Sequence, residues 1–203
     1  MLLHSGVSLN TYNSAAAINI ANNTTGTLFF RVRMGANDIN TNFGLTDVDA
    51  PSDFADFRAQ GRAMGNKLDT RDGGGFANLT TTGDGTGDEA DQLNAWYNVW
   101  MVVNNQNNTV QYHVQSDDDS NFSTQTQLFK PGGGDIAFRS GTTAILDRLF
   151  LKNNTSGTPG TVYFDDFWID TTGVNLAVVP EPSTLVLLGI ALGSVFLFRR
   201  RKS

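Results

Sequence analysis

Apolar and polar positions alternate with a period of two in several short stretches of this chain. Outside its C-terminal tail, no long segment repeats with a helical period. Over residues 28–34 (LFFRVRM) the even positions are all apolar, and Arg31 and Arg33 point the other way, the pattern of a half-buried strand. Residues 96–103 (WYNVWMVV) set Tyr97, Val99, Met101 and Val103 on one face. An Asn-rich turn follows, and the chain returns through 109–114 with Val110, Tyr112 and Val114 opposite Thr109, Gln111 and His113. That is the clearest hairpin in the sequence. Further strands are predicted over 42–46, 54–60, 63–69, 76–79, 144–152 and 162–170, separated by runs of Gly, Asn, Asp, Ser and Thr. Many short strands with Gly-rich turns predict a sandwich, jelly roll or barrel.

Composition agrees. The 203 residues are 39% hydrophobic with 14 Phe and 3 Trp, enough for a core, while 21 Gly and only 17% charged residues suit an all-β, loop-rich domain. Without the four C-terminal cations and Glu181, 10 Lys+Arg stand against 19 Asp+Glu, a net charge of −9. So acidic a body is not built to neutralise phosphates, which argues against nucleic acid as a partner. With no cysteine, disulfides, thiolate metal sites and a Cys nucleophile are excluded.

The tail is the most specific segment. Pro180, Glu181 and Pro182 lead into an apolar run over 185–198, then Arg199, Arg200, Arg201 and Lys202. The two prolines stop helix and ladder alike. The 14-residue run spans about 21 Å as a helix, short of the roughly 30 Å of a hydrocarbon core. A marginal stop-transfer anchor is predicted, with the cations held in the cytoplasm and everything before Pro180 facing away from it. This order of triplet, apolar run and basic end resembles the PEP-CTERM sorting signal of Gram-negative bacteria. The resemblance implies an exosortase as processing partner, a transient membrane anchor, and a route through the periplasm to the cell surface or beyond. Export also calls for an N-terminal signal, and residues 1–10 (MLLHSGVSLN) carry no Lys or Arg and only a short apolar start. The expectation is therefore a chain truncated at its N-terminus.

The body has a resemblance of its own. The 96–103 and 109–114 hairpin is similar to the central hairpin of concanavalin A-like (laminin G-like) jelly rolls. Residues 145–152 followed by 162–170 (VYFDDFWID) resemble the closing strands of that fold. The expected architecture is an all-β concanavalin A-like jelly-roll sandwich over 1–176, a Pro-Glu-Pro linker over 177–184, a single hydrophobic C-terminal helix over 185–198 and a basic end over 199–203. The resemblance implies glycan or protein binding, or glycoside hydrolysis, and does not choose between them.

Hydrolysis needs two carboxylates flanking the scissile bond. The Glu-x-Asp-x-(x)-Glu strand used by glucanases of this fold is absent, since the only glutamates are Glu89 and Glu181. Asp165 and Asp166 are adjacent in a strand and should point to opposite faces. His4 and His113 belong to no recognisable triad. Asp84, Asp88 and Asp91 bunch oxygen ligands that a Ca²⁺ ion could use, yet depart from the EF-hand pattern; Asp117, Asp118 and Asp119 are similar. Acidic turns are also ordinary in β proteins. Trp96 and Trp100 share a strand face with Asn98 between them and could stack pyranose rings, unless the strand is buried on both faces. The reading is a non-catalytic, exported envelope or matrix protein for surface structure or polysaccharide contact, without a required cofactor. A polysaccharide-active enzyme with an unrecognised Asp pair is the alternative, and an architectural module without ligand a third.

Overall fold

A computed structural model describes residues 7–9, 13–35, 39–65, 67–85, 87–153 and 161–177. These residues form a two-sheet antiparallel β-sandwich. The strands are β1 (Val7–Leu9), β2 (Asn13–Ile20), β3 (Thr25–Met34), β4 (Ile39–Thr46), β5 (Ala59–Gly65), β6 (Lys67–Asp72) and β7 (Gly75–Asn78). They continue as β8 (Trp96–Asn104), β9 (Thr109–Gln115), β10 (Thr126–Leu128), β11 (Ile136–Ala137), β12 (Leu146–Asn153) and β13 (Val162–Asp170). The front sheet runs β1-β13-β3-β8-β9-β10, with β11 also on β9; the back sheet runs β2-β12-β4-β5-β6-β7. Two 3₁₀ turns, Phe54–Asp56 and Ser120–Phe122, lie in the connections.

Alternation decides what is buried. Leu28, Phe30, Val32 and Met34 of β3 and Tyr97, Val99, Met101 and Val103 of β8 point inward, as their period predicts. Phe43, Leu45, Ala59, Ala63, Leu68, Leu149 and Leu151 meet them from the back sheet. Phe30 and Phe43 join the layers edge to face at 4.8 Å, and Phe164 lies within 5.9 Å of both. Tyr112 is fully buried, with its hydroxyl accepting from Thr70 at 3.3 Å. Burial pushes its phenol pKa up.

Two expected strand boundaries are corrected. The stretch 54–60 begins as a 3₁₀ turn capped by Asp53, and the strand starts only at Ala59. The stretch 63–69 is two strands, because the chain turns after Gly65, whose φ of +64° favours glycine. Gly61, which falls between the expected strands 54–60 and 63–69, sits mid-strand for lack of space: a Cβ there would lie 2.2 Å from the Phe43 ring.

Residues 171–177 form a strap over the outer face of the front sheet. Thr27 of β3 donates to Gly173 O and accepts from Asn175 N, both at 2.9 Å. Further along, Gln125 donates to Leu176 O (2.9 Å) and Trp100 Nε1 to Ala177 O (3.3 Å). Asp170 anchors the start, accepting from Thr172 N and Oγ1 and from Asn175 Nδ2. These partners carry the strap from β13 across β3 and β8 toward β10. The apolar run 185–198, expected as a helix, lies outside the described residues. Among those described, no helix is long and apolar enough to cross a membrane.

Candidate functional site

The structure places the sequence-derived candidates in three settings. Trp96, Asn98 and Trp100 share the outer face of β8, as alternation requires. Trp100 is 0% exposed, roofed by the strap and packed on Phe29 at 5.1 Å. The guanidiniums of Arg31 and Arg33 lie 5.0 and 5.1 Å from the Trp96 ring, and Arg33 also stacks on Tyr163. The pair of open indole faces that a sugar platform needs is not there; the strand is buried on both faces around Trp100. His113 of β9 is the register partner of Trp100 on β8, its pKa lowered by burial.

Asp118 and Asp119 of the acidic stretches hold the fold together. Asp118 accepts the Trp96 N–H, and Asp119 accepts from the Tyr97 hydroxyl at 2.7 Å and from Gln92. Asp84 and Asp88 are exposed, with Thr82 donating to Asp84. The Asp91 carboxyl is raised by burial and by the nearby charges of Glu89 and Asp119. Among the described residues, no three His, Cys, Asp or Glu side chains are grouped to hold a metal ion.

The Asp165–Asp166 expectation is corrected. The β13–β3 register shifts between Asp165 and Trp168, and Asp166 takes a φ of +52°. This bulge breaks the alternation and brings Asp166 to Arg31, 3.6 Å away, the residue paired with Asp165. Asp166 is tied to an outer-face arginine, and Asp165 is that arginine's partner in the strand register. Pro180, Glu181, Pro182 and Arg199, Arg200, Arg201 and Lys202 lie outside the described residues.

The richest polar constellation is one that strand patterning passed over: the outer face of β5, β6 and β7. Opposite the inward Ala59, Gly61 and Ala63, β5 presents Gln60 and Arg62; β6 presents Asp69 and Arg71. β7 adds Phe76, paired with Arg71, and Asn78, paired with Asp69. Buried Gln60 donates to Asn42 Oδ1 at 2.6 Å and accepts from Arg139 Nη1 at 3.2 Å. Arg62 clasps Asp69 through Nε (2.8 and 3.2 Å) and Nη2. Asp69 is only 3% exposed, and burial pushes its carboxyl above the ordinary range against the pull of Arg62.

Phe76 is 41% exposed. The Arg62 and Arg71 guanidiniums lie 3.4 and 4.5 Å from its ring centroid. Arg71 Nε is buried without a hydrogen-bond partner, and the Arg71 pKa is lowered by burial and then by Arg139 and Arg62 nearby. Guanidinium groups only donate. This face therefore suits a ligand rich in acceptor oxygens beside an apolar ring. Only the clustering of Arg62, Arg71 and Phe76 within 15 residues hinted at it.

Among solved structures, the chain is similar to the catalytic domain of a glycoside hydrolase family 131 β-glucanase from Podospora anserina. That match has 12% identity, covers 85% of this chain and 73% of the other, and has a TM-score of 0.48. It is also similar to the lectin UEA-II in complex with galactose (10% identity, 83% and 86% covered, TM-score 0.45). Sheep galectin-11 gives a further match (9% identity, 80% and 97% covered, TM-score 0.40). No curated protein sequence matches the chain. Its C-terminal residues 178–202 match the model of the PEP-CTERM protein-sorting motif.

Proposed function

We propose that this chain is an exported cell-envelope protein, handed by its tail to an exosortase. Its body, a non-catalytic concanavalin A-like jelly roll, meets glycan through the outer face of β5, β6 and β7. In this reading the run 185–198 anchors the protein briefly in the inner membrane, Arg199 to Lys202 stay cytoplasmic, and the body faces the periplasm. Processing near Pro180, Glu181 and Pro182 then releases it toward the cell surface.

The observation that carries the glycan reading is the meeting of a half-exposed ring, Phe76, with guanidinium donors on one rigid sheet face. A sugar offers an apolar C–H face to an aromatic ring and oxygens to donors, the two things this surface supplies. Hydrolysis asks for a free pair of carboxylates. The carboxylate on this face, Asp69, is clasped by Arg62, and Glu89 pairs with Lys67 at 3.4 Å.

Full-length protein in detergent, applied to a glycan array and then incubated with each retained glycan, tests the reading. Retention without new reducing ends is expected. Release of reducing sugar identifies an enzyme and overturns the non-catalytic reading, and silence in both assays removes the glycan role.

A further inference from the structure

We propose that Arg62, Arg71 and Arg139 on the β5–β7 face select carboxylate-bearing polysaccharide, built from uronic acids, over neutral glycan. The proposal rests on the glycan reading above and names the class of sugar. Arg71 feels the charges of both Arg139 and Arg62, and the one carboxylate paired with this trio, Asp69, is already held by Arg62. Arg139 uses Nη1 on Gln60 Oε1. Neither Arg71 nor Arg139 has an ion-pair partner among the described residues.

The surplus positive charge is local, for the body as a whole carries 10 Lys+Arg against 19 Asp+Glu. Like charges held side by side repel, and a buried N–H without an acceptor, as at Arg71 Nε, carries a desolvation penalty. One carboxylate supplies what both lack, a negative charge and paired acceptor oxygens in the planar geometry a guanidinium fork matches. Phe76 sets the carrier of that carboxylate, since the 41% of this residue left exposed beside the arginines gives a pyranose an apolar surface that a free inorganic anion could not use. The downward pull on the Arg71 pKa from burial and from its two arginine neighbours points the same way, because a bound anion relieves it. A neutral glycan meets the donors and leaves the charge uncompensated.

Binding of the full-length protein in detergent to polygalacturonate, to neutral dextran and to dextran sulfate tests this, with titrations at low and high salt. Tight, salt-sensitive binding to polygalacturonate above the other two is expected. Arg71→Gln and Arg139→Gln should each weaken it about tenfold, the loss of one charge-assisted contact. Arg148→Gln, which removes the same charge from β12, should leave it within about twofold. Thermal melts confirm that each variant is folded. Equal affinity for dextran sulfate, or equal losses in all three variants, overturns the proposal in favour of unspecific polyanion attraction. Retention of dextran but not polygalacturonate overturns it while sparing the broader glycan reading. Failure to bind any glycan removes both.

Discussion

Replacing Arg62 with Ala strips the clasp from Asp69 and leaves a carboxylate with 3% exposure inside a sheet face. The lost contacts are Nε to both carboxylate oxygens at 2.8 and 3.2 Å and the Nη2 contact. Lys67 exerts a weaker pull and already pairs with Glu89. Removing one partner of a buried pair costs about 3–5 kcal/mol, because a desolvated charge is stranded. For a domain of this size that is about 6–20 °C in Tm, at about 2–4 °C per kcal/mol. The pH dependence has a definite sign. Asp69 has a raised carboxyl pKa in the fold, so its folded state takes up a proton more readily than the unfolded chain. Its favourable contribution is present below the unfolded value, near pH 4, and is lost as pH rises through the folded value. Losing Arg62 raises that value further. The gap between wild type and Arg62→Ala should therefore be widest at neutral pH and narrow on acidification. Adding Asp69→Asn should recover part of the loss at pH 7. Melts followed by circular dichroism from pH 7 to pH 4 read both quantities. A variant within about 1 kcal/mol of wild type at pH 7, with a gap that does not change with pH, refutes the buried-charge argument.

Gly61→Ala places a Cβ 2.2 Å from Phe43 Cε2 and 2.9 Å from the Tyr112 hydroxyl. Its expected cost is about 1–3 kcal/mol, read as a lower urea midpoint at unchanged slope; an unmoved midpoint contradicts the close packing. Asp170→Ala removes the acceptor that starts the strap, so acrylamide should quench tryptophan fluorescence more strongly as Trp100 opens. The Thr172 hydroxyl, Asn175 and the Thr172 N–H hold the Asp170 carboxyl below its ordinary range. That stabilisation is present above about pH 4 and fades as pH falls through the depressed value. Quenching should then rise on acidification in wild type and stay flat in Asp170→Ala. In the tail, Glu181→Ala should leave full-length protein unprocessed in the membrane fraction; normal release speaks against exosortase handling.

The hairpin of β8 and β9 could be read residue by residue because one face is uniformly apolar and the Asn-rich turn is unambiguous. The β5–β6 region could not, because glycine signals a turn and a tight packing site with the same letter: Gly65 turns the chain, while Gly61 makes room for Phe43. Asp166 escaped for a related reason. Strict alternation sends neighbours to opposite faces, and the bulge is set by sheet twist and pairing. Whether Trp100 was open or buried could not be read, because nothing in residues 96–103 announces that a segment more than 70 residues later will lie across it. The arginine face was hidden for the opposite reason, since its members read one by one as ordinary solvated charges. Only the pairing of β5 with β6 and of β6 with β7 brings Gln60, Arg62, Arg71 and Phe76 together.

Ala177, held by Trp100, immediately precedes the match to the sorting motif, which begins at residue 178. A pull on the tail is thus delivered through Trp100, Gln125 and Thr27 before it reaches the end of β13. Such a load opens the anchoring bonds one at a time, like a zip, and leaves the long strand pairings unstressed until the last of them yields. The exit of the domain is therefore its most easily opened stretch, and a load applied there would uncover Trp100 before the sandwich unravels.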